Sequence, residues 1–299
     1  MLNYSQRLTP ALFILLCLNV VFAVPQDEDE SKSIKAERFI QERPATTSRT
    51  SARYRKVKST TNEQSAAIRP KSIALGDIGI TIWRFRPAQP MDQTKELVEE
   101  EEGRQTEWTL ERVEEGTRFS IGQRVRLSIE SLSRSGYLYV INREEYGDGT
   151  LGDPVLIFPT KKSAGANHVK AGRLVYIPSA TGRFKINPSQ TSKSHVGELI
   201  TVIVSPTPLI PADRLGDRRT PLERKLVEGW QKQWDALSAK FEMEGGVGQA
   251  MTPIEQSASR ESSSLLTQND PTPQTIFQLG GKPTNPLWIA IPLRFAKPN

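Results

Sequence analysis

Asp148 and Asp153 stand close together in Tyr146-Gly147-Asp148-Gly149-Thr150-Leu151-Gly152-Asp153-Pro154, with Glu144 and Glu145 just before them. Carboxylates and loop carbonyls are the oxygen ligands that Ca²⁺ takes, about six to eight of them per ion. Two aspartates with a neighbouring glutamate fall short of that set, and the spacing of an EF-hand is absent. Asp-Gly is also a common turn pair, in which Asp caps its own backbone and Gly takes a positive φ. The segment therefore reads first as a tight turn, with a Ca²⁺ site on Asp148 and Asp153 as the alternative. Tyr146, Asp148, Gly149 and Asp153 are the candidate binding residues, because loop tips on a rigid scaffold are where contacts are made.

Catalytic constellations are poorly represented. The histidines are His168 and His195, the one cysteine is Cys17, and neither G-x-S-x-G nor S-x-x-K occurs. The usual serine or cysteine nucleophile thus lacks its partners. Glycine loops that cradle phosphates are absent as well. Paired carboxylates could hydrolyse a glycoside, but 34 acids offer many pairs and spacing alone selects none. The expectation is a non-catalytic protein without cofactor or metal, with a secreted hydrolase acting on polysaccharide or peptide as the alternative.

The elements that hold the loop read as strands. Gly136 to Asn142 alternates Tyr137, Tyr139 and Ile141 against Leu138 and Val140, so both faces are apolar and the strand is central. Gln123 to Ile129 places Val125, Leu127 and Ile129 on one face and Arg124, Arg126 and Ser128 on the other, the pattern of a half-buried strand. Gly79 to Phe85 points Ile80, Ile82 and Phe85 inward, and Thr106 to Val113 follows as another strand. Val155–Phe158, Gly172–Ile177, Gly182–Ile186 and Glu198–Val204 each stop near a proline, which cannot donate to a ladder. About eight short strands over residues 72–212, without a helical period between them, predict an all-β antiparallel sandwich, a partly open barrel being the alternative.

The flanks differ. Arg7, the apolar run from Ala11 to Phe22 and the small residue Ala23 have the layout of a signal peptide over residues 1–23. Cys17 lies inside it, so the exported chain would carry no thiol and no disulfide. Residues 24–71 hold eleven Lys and Arg against seven Asp and Glu, which places most of the net +6 there and reads as a disordered basic linker. Residues 72–299 are near neutral, which argues against a nucleic-acid partner. Over 213–245, Thr220-Pro221-Leu222-Glu223 resembles a capping box, and Leu222, Leu226, Trp230, Trp234, Leu237 and Phe241 recur at helical spacing. That amphipathic helix is expected to pack on the sandwich. Residues 246–284 read as a flexible linker. Residues 285–299 read as a strand that Pro292 restricts to an edge, pairing either within the chain or with a neighbour.

GQRVRLSIES, GYLYVINREEYGDGTLGDPVLIFPT, NHVKAGRLVYIPS and GELITVIVSPTPL, in that order, resemble the bacterial family called domain of unknown function 4384, over about residues 73–209. The resemblance implies an all-β module, found alone in exported proteins or appended to protein kinases and caspase-like peptidases, with an accessory or sensing role, and it carries no functional residues across. With the signal peptide, it leads to the expectation of a periplasmic or extracellular binding or scaffold module of the cell envelope. Its partner would be an envelope protein or glycan, and no segment would span a membrane after signal cleavage.

Overall fold

The computed structural model describes residues 38–45, 52–57, 74–99, 104–114, 116–163, 167–235, 238–260, 265–280 and 284–296. The proposed signal peptide, with Arg7 and Cys17, lies outside them. Two sheets face each other without closing into a barrel. The larger runs β1 (Tyr54–Val57), β14 (Ser238–Met243), β15 (Thr275–Gly280), β2 (Ala74–Pro87), β4 (Gln105–Val113) and β3 (Glu96–Glu99). β6 (Arg124–Ser131) pairs the free side of β2 and itself receives β10 (Arg173–Ile177) and β11 (Phe184–Lys185). The smaller sheet runs β13 (Thr220–Pro221), β8 (Val155–Phe158), β7 (Gly136–Tyr146), β12 (His195–Ser205), β16 (Leu287–Phe295) and β5 (Arg118–Phe119), with β9 (His168–Val169) also on β7. Among these pairings only β16 with β5 is parallel.

Alternation decides which side chains meet between the sheets, because successive residues of a strand point to opposite faces. Ile78, Ile80 and Ile82 of β2 and Val125, Leu127 and Ile129 of β6 face Leu138 and Val140 of β7, Ile200, Val202 and Val204 of β12, and Leu287, Ile289, Ile291 and Leu293 of β16. All are buried, each contributing about 1.5–3 kcal/mol. Phe85 departs from the sequence reading. It lies with Trp83 and Leu110 on the outer face of the larger sheet, since the residue count from Ile82 puts it out of phase with the isoleucines.

That outer face is not wet, so β6 is buried on both sides rather than half-buried. Arg126 is capped by Glu96 at 2.8 and 2.9 Å and lies over the Phe85 ring, and Trp83 Nε1 donates to Ser128 Oγ at 3.1 Å. Ion pairing lets these polar side chains be enclosed without leaving charges bare. The cover comes largely from stretches that read as linkers. Residues 246–284 contain α2 (Pro253–Arg260) and β15, which runs between β14 and β2. Within 24–71, Phe39, Ile40 and Tyr54 are buried together with Phe241 and Ile276, and β1 pairs β14. Few apolar residues suffice there because an existing sheet supplies the rest of the cluster.

The amphipathic helix is shorter than its pattern. α1 (Arg224–Trp234) sets Val227, Trp230 and Trp234 against Tyr139, Ile141, Ile203 and Trp288 on the outer face of the smaller sheet, which is the intramolecular packing expected. Trp230 stacks on Trp234 at 5.4 Å. Leu226 is exposed, and Phe241 belongs to β14 instead. Thr220 and Pro221 form β13 on β8, so they do not cap the helix; Thr220 Oγ1 accepts from the Gly216 amide at 2.8 Å. β16 pairs β12 within the chain from Leu287 to Arg294, and β5 covers only its last two residues, so Pro292 has no long strand on its outer side. Among the described residues, no helix is long and apolar enough to cross a membrane.

Candidate functional site

The loop after β7 is a hydrogen-bonded turn. Gly149 has φ +77°, where a side chain would strain the backbone, and its amide donates to the Tyr146 carbonyl at 2.9 Å. Asp148 Oδ1 accepts from the Thr150 amide at 2.9 Å and from its hydroxyl at 2.6 Å. Lys193 Nζ reaches Asp148 Oδ2 at 3.0 Å and Thr150 Oγ1 at 2.8 Å, and sits 5.1 Å over the Tyr146 ring. The Thr150 hydroxyl, then its amide and Lys193, hold the Asp148 carboxyl down at about 2. Asp148, Gly149, Thr150 and Lys193 are all exposed on this tip.

The sequence-derived site is divided by the structure. Asp153 turns to Arg224 at the start of α1, whose guanidinium donates to it at 2.7 Å and to the Leu151 carbonyl at 2.8 Å. The two aspartates that would share a Ca²⁺ ion thus answer to different cations. Among the described residues no three His, Cys, Asp or Glu side chains come together as metal ligands. Tyr146 is buried and faces inward, its hydroxyl donating to Glu144 Oε2 at 2.7 Å. Glu145 points to the other side of β7 and pairs with Arg294.

Behind the loop, the core between the sheets ends in polar groups. On the inner face of β7, Leu138 and Val140 give way to Asn142, Glu144 and Tyr146; on β12, Val202 and Ile200 give way to Glu198. Glu198 stands directly opposite Glu144, and its Oε2 accepts from Asn142 Nδ2 at 2.9 Å. Strict alternation would send His195 to the other face. A bulge between His195 and Gly197 restores it to this one, opposite Tyr146, since one inserted residue reverses the phase. His195 Nε2 then lies 3.3 Å from Glu198 Oε1, and its ring meets Phe295 edge-on at 4.7 Å. Neither imidazole nitrogen has a well-aligned hydrogen bond, although the side chain is 7% exposed. Burial, with the Glu144 charge adding and the Asn142 hydrogen bond opposing, pushes the Glu198 carboxyl up to about 7. Ser189 closes the group from the loop before β12, donating to Glu144 Oε2 at 2.5 Å.

Asn142, Glu144, Ser189, Lys193, His195 and Glu198 were not singled out together by the sequence, where a lone histidine and scattered acids carry no pattern. Gly197 is the signal that was available, since a glycine inside a strand marks a bulge or a close approach. A Cβ there would come within 2.6 Å of the Leu293 carbonyl on β16. Gly197→Ala is expected to cost about 1–3 kcal/mol in denaturant unfolding, because backbone must shift to admit it. A cost below a few tenths would mean that the bulge is not tightly packed.

His168, the other histidine, is exposed and meets Tyr137 edge-on at 4.9 Å. The chain matches no curated protein and no solved structure. The family match begins at Arg118 and not near Ile73, and it takes in β5 to β12, which supply five strands of the smaller sheet and three of the larger. Both the Asp148 turn and the His195–Glu198 bulge fall inside it. Residues 118–208 are similar to the family described as Domain of unknown function (DUF4384).

Proposed function

We propose that the chain is an exported, non-catalytic binding module of the bacterial cell envelope, and that the exposed tip formed by Asp148, Gly149, Thr150 and Lys193 contacts an envelope protein or glycan. One observation carries this reading: the tip's polar groups are tied to one another through Asp148, Thr150 and Lys193 at the end of the two-sheet scaffold. A pre-ordered polar surface loses little conformational freedom on binding, which is how such a surface gains affinity without a deep pocket. Ser189, Thr191 and Ser194 extend it with further hydroxyls beside Lys193. The outward-facing cation, carboxylate and hydroxyls suit hydroxyl-rich or polar surfaces more than apolar ones.

The test is capture from envelope extract with the full chain as bait, followed by the same capture with Asp148→Ala and Lys193→Ala. The wild type should retain a defined partner, and each variant should retain at least about tenfold less, the equivalent of 1.4 kcal/mol. Capture that is unchanged in both variants removes the tip from the interface. Repeated failure of the wild type to retain anything counts against a binding module.

The facing carboxylates Glu144 and Glu198, one of them raised towards neutrality, favour a hydrolase as the second reading. Burial of Glu198, which is 8% exposed, weighs against it, because a substrate must reach the acid. Release of sugar or peptide fragments that stops in Glu198→Gln would establish that activity.

A further inference from the structure

The bulge makes an arrangement of charge that needs a proton. Glu198 and Glu144 are directly opposed across β12 and β7, on the same face, where such neighbours have Cβ atoms about 4.5–5.5 Å apart. Two ionised carboxylates that close, at the dry end of a core, repel strongly. The charged groups around them are already committed. Lys193 serves Asp148 and the Tyr146 ring, Arg294 serves Glu145 on the opposite face of β7, and Arg118 on β5 donates to the Phe295 carbonyl. Among the described residues, His195 also approaches, its Nε2 3.3 Å from Glu198 Oε1 without a well-aligned hydrogen bond. Asn142 and the Tyr146 hydroxyl are neutral donors, one to each carboxylate.

We propose that Glu198 and Glu144 form a proton-operated latch for residues 189–194: a proton on Glu198 keeps the segment seated, and its loss releases the segment. With that proton on Glu198, the facing pair carries a single negative charge, which Glu144 bears while accepting from Tyr146 and Ser189. Without it, two negative charges face each other, and the carboxylate nearer solvent, Glu144, relieves the repulsion by turning outward and giving up Ser189. The segment is otherwise tied by Lys193 to Asp148 and by the Gly147 amide to the Ser194 carbonyl at 2.8 Å. The burial-driven rise of the Glu198 carboxyl to about 7 agrees with this geometry.

The sign follows from the raised carboxyl. The unfolded chain ionises Glu198 near 4.5, whereas the folded chain holds the proton to about pH 7. The latch is therefore closed below neutrality and opens as pH rises through about 7. The latch rests on the proposed function only for its consequence, since residues 189–194 carry Lys193 of the binding tip and partner capture should weaken above neutral pH.

The test uses the free full chain. Hydrogen exchange of the Gly147 amide, corrected for base catalysis, should lose protection about tenfold between about pH 6 and pH 8.5, the factor carried by one pK unit of coupling. Glu198→Gln, which is close in shape and cannot ionise, should show equal protection at both pH values. Carbon NMR of the wild type should place the Glu198 carboxyl titration near neutrality. Protection that does not change with pH, a Glu198→Gln chain that keeps the wild-type loss, or a carboxyl titrating in the ordinary range of about 4 would each overturn the latch. The free-protein result stands whether or not a partner is captured, so the latch and the binding surface fail separately.

Discussion

A chain ended at residue 284 is expected to show no cooperative unfolding transition. The deletion removes β16, the strand that pairs β12 from Val204 to Gly197 and places Leu287, Ile289, Ile291, Leu293 and Phe295 between the sheets. Burial of five such side chains is worth about 1.5–3 kcal/mol each. Their sum is on the order of 10 kcal/mol, comparable with the ~5–15 kcal/mol that separates folded from unfolded domains. The loss extends to the other face, where Trp288 packs against Trp234 at 6.4 Å and helps to seat α1. It also bares the side of β12, a long apolar edge that invites aggregation. Circular dichroism during denaturant titration and size-exclusion chromatography check this. A truncated chain that stays monomeric with an unchanged midpoint would show that β16 is dispensable. A graded version, Ile291→Ala, should cost about 2–5 kcal/mol.

Arg43→Ala is expected to destabilise by about 3–5 kcal/mol, because it leaves a buried carboxylate without its counter-charge. Arg43 and Glu130 form a two-bond pair, Nε to Oε1 at 2.9 Å and Nη2 to Oε2 at 2.5 Å, with both side chains fully buried. The guanidinium also donates to the carbonyls of Asp270 and Pro271 at 3.0 and 3.2 Å, joining residues 38–45, the loop before β15 and β6. Burial pushes the Glu130 carboxyl up, and Arg43 opposes that rise. Without Arg43 the folded carboxyl rises further above its unfolded value, so the stability it contributes is intact below about 4.5 and is lost as pH increases. The defect should therefore be largest at neutral pH and shrink under mild acid. Arg43→Met combined with Glu130→Leu should recover most of the loss, since a packed apolar pair replaces a buried ion pair at little cost. Denaturant midpoints at pH 5 and pH 7.5 measure both effects. An Arg43→Ala cost below about 1 kcal/mol would place the pair in a surface-like environment.

The two T-P-x-E segments show that one local pattern can end in two different structures. Thr252-Pro253-Ile254-Glu255 forms the capping box of α2: Glu255 Oε2 accepts from the Thr252 amide at 2.7 Å, and the Glu255 amide donates to Thr252 Oγ1 at 3.3 Å. Arg112 adds a hydrogen bond to Glu255 Oε1 at 3.1 Å. Thr220-Pro221-Leu222-Glu223 has the same pattern, yet its first two residues pair with Leu156 and Val155 as β13. Local propensity for a cap is worth about 1 kcal/mol, which an available strand partner can override. The failure at 246–284 has the same cause, since Ile276, Phe277 and Leu279 are too few to announce a strand but find a complete sheet to join.

By itself the sequence determined the sandwich class, the inward isoleucines of β2, the alternating apolar rows of β6 and β16, the two apolar faces of β7, the docking of the tryptophan-bearing helix and the Asp148-Gly149 turn. Each depends on a period of two or of about 3.6, or on a turn pair, all of which are read from neighbours along the chain. Only the tertiary structure decided that Arg43 meets Glu130, that Asp153 turns to Arg224 and that Asp148 turns to Lys193. It also decided that one inserted residue beside Gly197 turns His195 towards Glu198 and Glu144. Those contacts join residues far apart in the chain, and a bulge reverses the very alternation on which sequence reading relies.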